Sequence, residues 1–308
     1  MRVLICFFAS LSLLFSAELL NVIETNSNVM NINLKKNLLY ISTDGGEMQI
    51  YDLDSNQFSK SLTIPTIKTY FSDEQKAKIF STDELNGVIA MLGEGDYGKK
   101  VLFIYKDEKL KALNLENQSI KKALFIDDKT MVFASLSNEI YFYDLETKSV
   151  TYSHKFSTSA LNDMEISLDK KIIALGCESG KVYLFDVKAK KISKTLDLHK
   201  DNIYDVAISQ NGVVVSGSAD KNAGLVANEK TKMLNATFLV YAVGVSQDGT
   251  KAAFMSDENS DITIFNTQNL STIDVVKTEQ STINGILFYK NNMLISSAYE
   301  KDIKIWRY

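Results

Sequence analysis

The feature that most limits how this chain can fold is a motif that returns about every 40 residues. It is an apolar pair, usually closed by an aromatic and followed by a polar turn. It reads IYDL at Tyr51, IYKD at Tyr105, FYDL at Tyr143, LFDV at Phe185, LVAN at Val226, IFNT at Phe265 and IWRY at Trp306. Successive motifs are 54, 38, 42, 41, 39 and 41 residues apart. Each unit has the same interior. In MEISLDKKIIALGCESGKVYLFDV, from Met164, polar turns cut an alternating apolar run into three segments of four to six residues, and a weaker fourth, KKISKTLDL, follows. No segment sustains a helical period, so the chain reads as all-β.

Four short strands repeated at this period are the signature of a β-propeller blade. The stretch 199–224, HKDNIYDVAISQNGVVVSGSADKNAG, shows what its polar residues do. Its apolar frame and turn recur in 235–249 and 159–171, and its histidine does not. His199 therefore reads as scaffold. On these residues the chain resembles the WD40 repeat family, in which a His, a Ser, an Asp and a Trp of one blade form a hydrogen-bonded set. The resemblance assigns His199, Ser216 and Asp220 to the first three places, with Val226 where the Trp would stand. The seventh unit keeps Trp306, has Glu300 in place of the Asp, and has no His. The expected fold is a seven-bladed WD40-like propeller over residues 18–308. The resemblance implies that a first strand, Leu19–Ile23 within Glu18–Thr25, completes the last blade and closes the ring. The 54-residue interval calls for an insertion, expected in Tyr70–Leu85 and the loop Gly93–Lys100.

Residues 1–17, MRVLICFFASLSLLFSA, differ from the rest. One positive charge at Arg2, an apolar run and small residues at Ser16 and Ala17 are the layout of a secretory signal peptide. The run is too short to span a bilayer comfortably, and an uncleaved membrane anchor is the alternative reading. Loss of Arg2 with this leader takes the net charge from −4 to −5, and such a chain without a basic patch is a poor nucleic-acid binder. Of two cysteines only Cys177 would remain, so no internal disulfide can form. Export without disulfides fits a bacterial periplasm.

Motifs that could carry chemistry do not hold up. Gly93, Gly95 and Gly98 spell G-x-G-x-x-G, but a strand, VLFIYKD, follows where a phosphate site needs a helix N-terminus. DLDSNQ, residues 52–57, lacks the glycine and the bidentate glutamate of a calcium loop, with Thr63 at the latter place. His154, His199 and Cys177 fall in separate repeats, without metal-ligand spacing. Asp127–Asp128 reads as a solvated turn. No catalytic, cofactor or metal residue is expected.

What remains is surface. In the WD40 family the residues just before the first strand of each blade bind partners. Aligned on Val206, these are Asn28, Lys121, Asn162, Tyr204, Tyr241 and Asn284, and the two tyrosines either form an aromatic patch of the kind found at interaction hot spots or pack on neighbouring blades. An exported, degenerate seven-unit chain also resembles the WD-repeat accessory proteins of bacterial periplasmic nitrate reductase systems. That resemblance implies a monomeric, non-catalytic periplasmic scaffold whose partners are reductase components, acting in assembly or electron delivery. A propeller enzyme or small-ligand binder and an envelope-assembly component are the alternatives.

Overall fold

The computed structural model describes residues 17–290 and 292–308. Apart from Ala17, the expected leader lies outside the described residues. Residues 29–63, 79–114, 120–155, 161–197, 203–235 and 243–276 each form a four-stranded antiparallel sheet whose strands neighbour one another in chain order. A seventh sheet is Ile283–Tyr289, Met293–Ala298 and Asp302–Arg307, completed by Glu18–Glu24 pairing antiparallel with Asp302–Arg307. These are blades 1–7 of a propeller, as the repeat predicts, and the first strand closes the ring. There is no α-helix among the described residues. Among the described residues no helix is long and apolar enough to cross a membrane.

The packing explains the repeat. Seven apolar clusters each straddle two successive blades, and each motif residue lies in the seam with the preceding blade. Tyr51 packs in the seam of blades 7 and 1, Tyr105 in 1 and 2, and Tyr143 in 2 and 3. Phe185, Val226, Phe265 and Trp306 follow in the next four. A large apolar side chain on the third strand is thus needed once per blade. Second strands are covered by blades on both flat faces, so they read as unbroken apolar or small runs; Val214–Ser218 is buried throughout. Outer strands alternate or lie exposed, as in Lys191–Asp197. Lysines 109, 111, 191, 194, 230 and 232 on these strands discourage edge-to-edge pairing.

Two expectations change. The apolar residues of the closing strand, Leu19, Leu20, Val22 and Ile23, read in the sequence as one face joining the two chain ends. Ile23 is buried and Leu20 packs partly against the seam, but Leu19 and Val22 are 45% and 37% exposed. An outermost strand has company only where it faces a neighbouring blade, and the register also shifts between Leu19 and Asn21. The insertion occupies 64–78 and stops short of Leu85, because Ile79–Leu85 is the inner strand of blade 2. Its polar run Ser81-Thr82-Asp83 hides a strand in the sequence. All three are buried, and Ser81 and Asp83 accept hydrogen bonds from the backbone of blade 3, at Ala123 N and Phe125 N. In Gly93–Lys100 the chain makes a short turn, Asp96–Gly98, and continues as the strand Lys100–Lys106.

Candidate interaction surface

Strand order places two kinds of connection on one face, which we call the top. One joins the outer strand of a blade to the inner strand of the next; the other joins second and third strands. In blade 5 the first carries His199 and the second Asp220. His199 Nδ1 lies 3.1 Å from Asp220 Oδ1 and Nε2 lies 2.8 Å from Ser216 Oγ. Lys200 N donates to the other carboxylate oxygen at 3.0 Å. The three residues assigned from the sequence thus meet. With the carboxylate accepting from Nδ1–H, Nε2 accepts from the Ser216 hydroxyl, and both ring nitrogens are used. Burial pushes the His199 pKa down, and Asp220 only partly opposes it, so the ring is neutral. Burial alone would raise the Asp220 pKa, but Lys200 N–H and His199 hold it below its ordinary value. A Cβ on Gly224 would sit 2.9 Å from Nε2, so the imidazole fills space that only a glycine leaves. His199→Ala is expected to lower unfolding free energy by about 1–3 kcal/mol in urea titration, from unpaired buried groups. An unchanged midpoint would show that the set does not hold the blade.

Blade 7 builds a counterpart that the sequence reading missed. Trp306 Nε1 donates to Ser296 Oγ at 2.9 Å, and Ser296 donates to Gln280 Oε1. Gln280 Nε2 donates to Asp302 O at 3.0 Å. An amide both accepts and donates, so Gln280 fills the place of the absent histidine. Glu300 does the work of Asp220, accepting from Ser281 N at 3.3 Å. The same clamp recurs as Asp44 on Asn28 N at 3.0 Å, Asp96 on Lys68 N at 2.8 Å and Glu178 on Ala160 N at 3.3 Å. One acid after the second strand thus ties the two top connections together in five blades. The signal was an Asp or Glu in each turn, at spacings too variable to stand out.

Five of the six surface positions fall together. In blades 3, 4, 5 and 7 the second residue of the inner strand sits at a bulge: Lys121, Asn162, Tyr204 and Asn284. Tyr241 holds the same place in VYAVGV of blade 6. Asn28 does not belong to the set. The blade 1 and blade 2 members are Met30 and Phe80, at bulges of their own. A two-residue slip preserves strand alternation, so Met30 and Ile32 could not be told apart by pattern. Asn28 is a clamp residue, its amide donating to Asp44 at 3.0 Å. The set is stitched between blades. Lys121 Nζ donates to Asn162 O at 2.7 Å, Asn162 to Asn202, and Asn284 Nδ2 to Val29 O at 2.9 Å. Tyr204 and Tyr241 stack with centroids 4.6 Å apart and planes at 27°, with Phe238 beside them.

Beneath this rim the inner strands hold charge. Lys122 of blade 3 bonds Asp163 at 3.0 Å and Glu165 at 3.2 Å in blade 4. Asp163 accepts from Val206 N of blade 5 at 3.3 Å, and Asp205 of blade 5 from Val243 N of blade 6 at 2.8 Å. Lys35 and buried Asp83 pair at 2.6 Å across blades 1 and 2. Burial would depress the Lys122 pKa, but Asp163, Glu165 and Asp205 more than reverse it. Asp205 is pushed well up by burial and by the Asp163 charge. These groups pin blades to one another. Among the described residues no cluster of His, Cys, Asp or Glu is arranged to hold a metal ion.

Residues 100–308 match the family described as nucleolar protein 10-like, N-terminal domain, a β-propeller. No curated protein matches the chain.

Proposed function

The chain belongs to the nucleolar protein 10-like, N-terminal domain family of β-propellers, and from that premise we propose that it is a non-catalytic scaffold that binds a protein partner through its top face. The stacked pair Tyr204–Tyr241 carries this reading. Two half-buried aromatic rings from adjacent blades offer a rigid apolar surface at the rim, the composition found at the centre of interfaces. Against catalysis stand the uses already made of the reactive side chains. His199 spends both nitrogens on the blade, and burial pushes the Cys177 thiol up to about 12, leaving almost no thiolate at neutral pH.

We further propose export to a bacterial periplasm, on the charge and apolar layout of residues 1–17. The finer reading of the partner is a component of a periplasmic nitrate reductase, supported by the resemblance of leader and repeats to that system's accessory proteins. One experiment tests both levels: affinity capture of the full chain from the soluble periplasmic fraction, with partners and the chain's own N-terminus read by mass spectrometry. The expected chain begins near Glu18 and retains reductase components. The Tyr204→Ala/Tyr241→Ala variant is expected to lose them while still folding, its melting temperature lowered by the loss of about 1 kcal/mol of ring stacking and of the rings' half-buried area. Equal capture by the variant would overturn the top-face reading, and a chain beginning at Met1 in the cytoplasm would overturn export.

A further inference from the structure

The chain is acidic as a whole, and its sequence read end to end holds no basic patch. The fold makes one, on the bottom face under blade 4. Six turns on that face join a third strand to an outer strand. Five carry an acid or no charge: Asp54 in blade 1, Asp107 and Glu108 in blade 2, Glu146 in blade 3, Glu229 in blade 5, and no charged residue in 267–271 of blade 6. Blade 4 alone has lysines without an acid, Lys188 and Lys190, and Lys191 and Lys194 follow on its outer strand. Residues 187–194 thus hold four lysines and no carboxylate side chain. Protection of a strand edge accounts for Lys191 and Lys194. It does not account for Lys188 and Lys190, which stand in the turn.

The neighbouring acids are already engaged. Asp169 pairs with Lys171 at 2.8 Å and Glu146 with Lys129 at 3.0 Å. Asp144 accepts from Thr147 N, and Asp186 from Ala189 N, both at 2.7 Å. Toward blade 5, Glu229 is outnumbered by Lys230 and Lys232. Lys188, Lys190 and Lys191 are exposed, and among the described residues neither they nor Lys194 make an ion pair. The turn itself is fixed. Val187 N donates to Lys171 O at 2.9 Å, Tyr152 Oη donates to Lys190 O at 2.8 Å, and Lys190 Nζ lies 5.0 Å from the centre of the Tyr152 ring.

We propose that the bottom of blade 4 binds a short segment of a partner protein rich in Asp and Glu. Unpaired ammonium groups on a rigid turn complement such a segment, and little order is left to impose on this side. An anionic bilayer fits worse. Laid on this face it would also meet the exposed Asp107, Glu108, Asp127 and Asp128 of blades 2 and 3. A segment of a few residues meets the lysines alone. The site lies on the face opposite Tyr204 and Tyr241 and adds a second contact to the scaffold reading.

The test uses the full chain in its native host, with p-benzoylphenylalanine as photo-crosslinker in place of Ala189, which is exposed between the two turn lysines. Ser55, exposed in the corresponding turn of blade 1, is the control position. The expected result is one discrete protein adduct at position 189, absent at 55, with Asp and Glu clustered in the crosslinked peptide. Lys188→Glu/Lys191→Glu should cut its yield about tenfold, and Lys188→Arg/Lys191→Arg should keep it. Melting temperatures close to the parent's show that the variants fold; should the double reversal unfold the chain, Lys188→Glu alone gives the same readout. A lipid adduct, an adduct indifferent to charge reversal, or none above the Ser55 control overturns the site. Capture through Tyr204 and Tyr241 is measured separately, so the top-face scaffold stands or falls on its own.

Discussion

A chain that starts at Asn28 should melt more than about 10 °C below one that starts at Glu18, and should aggregate as it does so. The strand it lacks, Glu18–Glu24, is paired with Asp302–Arg307 at six positions. A net stabilisation of about 1 kcal/mol per hydrogen bond makes this ladder worth several kcal/mol. Ile23, sealed between blades 7 and 1, adds about 1.5–3 kcal/mol. Thr25 also leaves, and its hydroxyl donates to Lys301 O at 2.7 Å. These losses rival the whole stability of an ordinary domain, about 5–15 kcal/mol. They also uncover Asp302–Arg307, whose unpaired backbone can recruit another chain. Differential scanning calorimetry with light scattering decides the matter. Equal melting temperatures would mean that the ring is not held shut by this strand.

Replacing the partly buried ammonium of Lys122 should have the next largest effect. Lys122→Met is expected to cost about 2–3 kcal/mol, because partly buried Asp163 and Glu165 each lose a charge-assisted hydrogen bond. Asp163→Asn in the same chain should return part of the loss, and a strictly additive double variant would refute the coupling. Asp205 gives the pH dependence. Its carboxyl holds its proton more tightly folded than unfolded. Its contribution is therefore fully present below the ordinary carboxylate range and is lost as pH rises through the elevated folded value. Asp205→Asn keeps an acceptor for Val243 N and can donate to Asp163. Its unfolding midpoint should fall less than that of the parent chain between about pH 4 and 8. Parallel curves would show that Asp205 does not titrate in that window.

The architecture was legible because each seam demands the same thing. A third-strand residue must fill the gap to the preceding blade, and residues from Tyr51 to Trp306 advertise it about every 40 residues, with one longer interval. Even Val226, which breaks the aromatic rule, sits in its seam. The blade 5 set could be assigned because His199, Ser216 and Asp220 are chemically distinctive. Gln280 and Glu300 serve blade 7 with the same geometry and different side chains, which a residue-type match passes over. The rim positions were found where the inner strand has one plausible register and lost in VMNINL, where two exist. The charged pins were invisible for another reason. Lys122, Asp163 and Asp205 look like surface residues until the ring brings three separate repeats to one axis.

Closing the ring with the first strand has a consequence for handling the molecule. Glu18 is paired with Arg307, and their side chains meet at 3.2 Å. Strand direction puts this meeting point on the side of the disc away from Tyr204 and Phe71. The first described strand and the last therefore meet at the back of the disc. A tag, a tether or a chip surface attached after Tyr308, or before Glu18 in a chain cut there, leaves the front unobstructed. The same nearness would let a short linker join Tyr308 to Glu18, with new ends opened in an exposed turn such as 146–148.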